Sequence, residues 1–169
     1  MTNRKRALTA AIAAATAAMA ARSRWRDLGA TPAERDATFT GDELVAPPTT
    51  RTTLAVGIHA PAESVSPWLV QMGQGRGGLY SYDRLENLVG LDVHSAERIL
   101  PELQDLAVGD RIVLVRDGWL GMRGGYSLPV ASIDPGRAIV LRQQPPEHPW
   151  DAVWSFHLVP VGHERCRLV

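Results

Sequence analysis

A single cysteine, Cys166, stands in 169 residues. It cannot close an internal disulfide and has no neighbour at metal-ligand spacing, so it reads as a small apolar strand residue. Charge of one sign is missing too: 18 Lys and Arg balance 18 Asp and Glu, for a formal net charge of zero. No field over the whole body would draw in nucleic acid or an anionic membrane surface, and a nucleic-acid partner is not expected. Also absent are a P-loop, a G-x-S-x-G nucleophile elbow and any internal repeat. Metal ligands are sparse: Asp92 with His94, or His94 with Glu97, offer two donors where a zinc site wants three or four. Neither a metal nor a cofactor is expected.

No apolar run is clearly long enough to span a bilayer. The longest is the fifteen-residue stretch Ala7 to Ala21, preceded by Arg4, Lys5 and Arg6 and followed by Arg22, Arg24 and Arg26. A basic start, an apolar centre and a small-x-small site at Ala18-Met19-Ala20 outline a secretory signal or short membrane anchor. A spanning helix needs about 20 residues, and alanine is the strongest helix former, so a solvent-facing helix is the plain alternative. Residues 1–25 therefore form a basic, Ala-rich segment, with membrane association or export as one placement and the cytoplasm as the other. Residues 26–50 carry Pro32, Gly41, Pro47 and Pro48 among charged and Thr residues, which reads as an extended linker adding little to the core. With 45% hydrophobic residues overall, residues 51–169 can bury one core and make one domain.

Within that domain the hydrophobic period changes once. Leu54, Val56 and Ile58 alternate with Thr53, Ala55 and Gly57, predicting a strand over Thr52 to Ile58. Pro61 then opens a helix with Glu63 in its first turn, and Val65, Trp68, Leu69 and Met72 make an apolar stripe ending at Gly73. A second short helix is expected from Ser81 as N-cap to Gly90, with Tyr82, Leu85 and Val89 on its apolar side. Asp92 to Gln104 reads as an irregular connection broken by Pro101. Five strands follow, Arg111–Val115, Tyr126–Ile133, Arg137–Gln143, Ala152–Val161 and Arg165–Val169, separated by short turn signals that favour antiparallel neighbours. The class is α+β, with helices segregated from the sheet. In the strand from Ala152, Trp154, Phe156 and Leu158 alternate with Val153, Ser155 and His157, and neither face is strongly polar. Such a sheet needs a cover.

The run WLVQMGQGRGGLYSYDRLENLVGLDVHSAERILPELQDLAVGD from Trp68 to Asp110, with GDELV at Gly41 to Val45, resembles a bacterial subgroup of the SRPBCC superfamily, relatives of START domains and polyketide cyclases. The likeness covers roughly Leu28 to Val169 and is densest between Ala60 and Asp110. It implies a helix-grip fold: a strand, two short helices, a curved antiparallel sheet and a long C-terminal helix closing an apolar cavity. That last helix has no counterpart before Val169.

The resemblance implies binding of a small hydrophobic ligand, a lipid or polyketide-like molecule, by a carrier or sensor without chemistry. By position, Arg76, Tyr80 and Tyr82 would lie near the cavity mouth, and Trp68, Met72, Trp154, Phe156 and His157 along its walls. Core packing is the plainer role for Trp68 and Met72. Gly73, Gly75 and Gly78 match G-x-G-x-x-G, but no strand precedes them and no acid follows at the required distance in a parallel unit, so a mobile lip is expected rather than a nucleotide site. Arg76 on that lip would meet a carboxylate or phosphate. The alternative is a cyclase or dehydratase using Tyr80, Asp83 or His94 as acid or base, although a solvated helix face also accounts for Asp83. A membrane-tethered partner-binding module is a third expectation.

Overall fold

The computed structural model describes residues 26–45 and 47–169. The signal or anchor expected over residues 1–25 lies outside them. Among the described residues no helix is long and apolar enough to cross a membrane. The described residues divide into two compact units, the first holding residues 26–37, 48–56 and Val169, the second residues 38–45, 47 and 57–168.

The first unit is built around α1, Pro32–Asp36. Thr31 caps it reciprocally: its hydroxyl accepts from the Glu34 amide, and the Glu34 carboxylate accepts from the Thr31 amide. Pro32 sits at the first helical position, where the missing N–H costs nothing. Backbone amides of Thr53 and Ala55 donate to the carbonyls of Arg26 and Leu28. Thr53 and Ala55 thus bond outside the sheet, and the first strand is shorter than its alternation predicts.

The second unit confirms the α+β class: a strongly curled six-stranded antiparallel sheet with few short helices. The sheet's strands are β1 Val56–Ile58, β2 Arg111–Val115, β3 Tyr126–Asp134, β4 Ala138–Gln143, β5 Ala152–Pro160 and β6 Cys166–Leu168, in the order β1-β6-β5-β4-β3-β2. The register shifts between Val113 and Val115 and again between Val130 and Ser132. Such irregularities add local twist and bend to a sheet, consistent with its curl.

One face of the sheet carries the core. Ile112, Leu128, Val130, Ile139, Leu141, Leu158 and Cys166 are buried there together with Ala62, Leu69 and Met72. Ala62 and Leu69 belong to α2, Ala62–Val70, and Met72 follows it; of the stripe predicted for this helix, Leu69 and Met72 join the core and Val65 packs against it, while half-buried Trp68 lies outside the core cluster. Cys166 is buried, and burial pushes its thiol pKa up, with the Glu63 charge adding to the effect.

The opposite face is covered as well, by residues 38–45. Gly41 has φ 101°, and a Cβ there would lie 2.6 Å from Val140 Cγ1, so only glycine lets this backbone approach the sheet. Phe39 stacks on His157 with ring centroids 4.6 Å apart. Asp42 and Glu43 fold the stretch into a turn by accepting from the amides of Phe39 and Gly41. The linker expectation for 26–50 is corrected on this point, because part of the stretch packs against buried Val140 and His157.

The second predicted helix forms as α3, Asp83–Leu88, but turned outward. Leu85 is 62% exposed and Leu88 82% exposed, and Tyr82 and Val89 are exposed too. Polar anchors explain the orientation. Asp83 accepts from the amide and hydroxyl of Ser95, and Asn87 exchanges two hydrogen bonds with the backbone of fully buried Val93. Residues 83 and 87 are four apart and share one helix face, so that face is the attached one.

Candidate functional site

The glycine loop from Gly73 to Gly78 has the geometry of a clasp. Gly73 and Gly78 exchange two backbone hydrogen bonds of 2.8 and 3.0 Å, while the amides of Gln74, Arg76 and Gly77 donate to the carbonyls of Val113, Gly73 and Gln71. An anion cradle needs free amides, and these five are taken. Gly78 has φ 79°, and a Cβ there would meet the His94 carbonyl at 2.6 Å. The expected mobile lip is corrected accordingly: the loop is buried apart from Gly75 and half-buried Arg76.

Fully buried Gln71 holds this clasp. Its amide nitrogen donates to Tyr80 Oη at 2.6 Å and to the Arg98 carbonyl, and its oxygen accepts from the Leu100 amide. Arg76 Nη2 donates to the carbonyls of Val70 and Leu103, tying the end of α2 to the turn Pro101–Leu103. A cation at a helix C-terminus is favourable on its own account. The Tyr80 ring meets Trp68 edge-on at 5.6 Å, and Tyr82 is exposed.

The acid–base candidates have separate partners. Tyr80 Oη is bonded to Gln71 and both Asp83 oxygens to Ser95, whereas His94, 3.1 Å from Asp92, stands in solvent. The Ser95 amide, then its hydroxyl, hold the Asp83 carboxyl below its ordinary pKa of 3.8. Among the described residues no three His, Cys, Asp or Glu side chains converge on a metal-sized site.

The remaining wall candidates are divided between the two faces of the sheet. Met72 is in the core and Phe156 packs against it, while Trp154 is exposed with its ring tilted on Phe156 at 4.8 Å. His157 is buried on the opposite face under Phe39. Burial lowers its pKa below the ordinary 6.5, opposed by the nearby Asp42 charge and the Thr40 backbone.

A different set of residues encloses space. A recess of about 400 Å³ opens on the face away from the core, lined by Leu44, Pro129, Ala131, Pro145 and Pro146 with Arg111, Arg142, Gln144, Glu147 and His148. That volume and a mainly apolar wall with a few polar groups are typical of small-molecule sites. His148 is 6% exposed, its ring edge-on to Tyr126 at 5.2 Å, and its Nε2 has no hydrogen-bond partner. Arg142 donates through Nη2 to Asp151 at 2.8 Å, but its Nε is buried and unpaired. Arg111 reaches Glu147 at 3.0 Å and Ser127 Oγ at 2.9 Å.

No family model matches the chain. Nor does any curated protein. Among solved structures, the chain is similar to the X-ray structure of a Mesorhizobium loti protein from a structural-genomics programme, with 20% identity over 68% of this chain and 71% of that one and a TM-score of 0.32. An overlap that loose carries no fold or function across.

Sequence reading missed this recess, although its signals were present. Arg111 opens RIVLV and Arg142 interrupts AIVLRQ, each on the strand face opposite a core residue. The GDELV stretch supplies Leu44.

Proposed function

We propose that this protein binds a small, mainly apolar molecule as a carrier or sensor without chemistry of its own, on a helix-grip-like domain of the SRPBCC kind. The curled antiparallel sheet with α2 across its core face supports the fold part of that reading. The observation behind the binding part is buried His148, whose Nε2 lacks a partner beside apolar walls. Leaving a buried polar atom unsatisfied costs about 1–3 kcal/mol, which a bound ligand group would recover. Carriage is favoured over cyclisation or dehydration because Tyr80, Asp83 and His94 are absent from the recess lining.

The test is native mass spectrometry of the protein purified from a lipid-containing host, beside Leu44→Trp, which fills the recess. A retained mass of a few hundred daltons that disappears in the variant is the expected result. Retention undiminished by Leu44→Trp would place any ligand elsewhere, and an empty wild-type protein would remove the carrier reading.

A further inference from the structure

The polar side of the recess is arranged for an anion. Arg111 pairs directly with Pro129 across β2 and β3, and Val130 pairs with Leu141 across β3 and β4, so Arg142 lies one position along, beside Pro129. Two arginines therefore flank one proline on the same sheet face, two strand spacings or roughly 10 Å apart at the backbone. Cations on a largely apolar face need partners, because desolvating an unpaired charge is costly.

Both partners come from the loop and strand start after β4. Glu147 pairs with Arg111 and Asp151 with Arg142. These carboxylates are 61% and 48% exposed, and solvent-exposed pairs of this kind are worth only about 0–1 kcal/mol. They are easily exchanged. Meanwhile two buried nitrogens on residues that line the recess, Arg142 Nε and His148 Nε2, have no hydrogen-bond partner. A guanidinium takes a carboxylate best through two of its nitrogens, and only Nη2 of Arg142 is engaged.

We infer that the ligand is a small carboxylic acid with an apolar body, its carboxylate received by Arg142 and Arg111 with His148 Nε2 alongside, and Glu147 serving as the displaceable internal substitute. The apolar body would lie over Pro129 and Ala131 beneath Leu44. This inference rests on the recess being the binding site.

The experiment compares acids with their amides by isothermal titration calorimetry, using naphthylacetate against naphthylacetamide and decanoate against decanamide. The acid should bind at least tenfold more tightly in each pair, with the ratio falling toward one in Arg142→Gln. Arg111→Gln, at a more exposed position, should narrow the ratio by severalfold and covers the case in which Arg142→Gln does not fold. Glu147→Gln, which frees Arg111, should tighten acid binding severalfold while leaving the amides unchanged. Equal affinity of acid and amide would overturn the carboxylate inference while leaving the recess in place. Acid selectivity untouched by both arginine variants would overturn it as well. Binding of neither probe class would remove the recess reading and this inference with it.

Discussion

His157 shows how one side chain can make stability depend on pH. It is buried, stacked on Phe39, and its folded-state pKa lies below 6.5. The unfolded chain therefore binds the proton more readily. Its contribution is fully present above pH 6.5 and is lost as pH falls from there through the folded-state pKa. Urea denaturation between pH 8 and 5 should show this decline, and His157→Phe, which keeps the stacked ring, should flatten it. An unchanged slope would acquit His157. Gly78 supplies a second residue-scale test: Gly78→Ala places a Cβ 2.6 Å from a backbone oxygen at a positive φ. A cost of about 1–3 kcal/mol in thermal or chemical unfolding is expected, and a neutral substitution would mean the clasp is loose. Neither effect is visible in sequence, where His157 is one alternating residue of a strand and Gly78 one of four neighbouring glycines.

At the scale of elements, α3 is the clearest divergence from pattern reading. Periodicity puts Tyr82, Leu85 and Val89 on one apolar stripe, yet the helix attaches through Asp83 and Asn87 and leaves that stripe exposed. Asn87→Ala strips the buried Val93 amide of its acceptor and should cost about 1–3 kcal/mol, with a matching loss of amide-exchange protection at Val93. Leu88→Ala, at an exposed position, should stay within about 0.5 kcal/mol. The reverse ranking would contradict the outward orientation. The strands were far more legible: Arg111–Val115 was predicted to the residue, and β3 to β6 differ by a residue or two at their ends. Alternating Val, Ile and Leu between turn signals is a local property, readable without knowing the fold. The anchoring pairs Asp83–Ser95 and Gln71–Leu100 join residues 12 and 29 apart, and no periodicity encodes them.

For the molecule as a whole, the α+β class followed from the sequence, while the core face, where Phe156 and His157 had to be told apart, and the location of the best-supported site did not. The glycine loop stands out in the sequence by its composition, yet that composition serves a tight turn around Gln71. The recess draws on Leu44, Arg111, Arg142 and His148, four stretches of chain that only the sheet register and the covering residues 38–45 bring together. Leu141→Ala should cost about 2–5 kcal/mol by opening a cavity on the core face, and ligand affinity on the other face should survive where the fold does. The most direct measurement is chemical-shift mapping of the isotope-labelled protein titrated with naphthylacetate and naphthylacetamide. Perturbations concentrated at Leu44, Ala131, Arg142 and His148 are the predicted result. Perturbations centred on Met72, Leu128 and Phe156 would place the ligand within the core face and contradict the account.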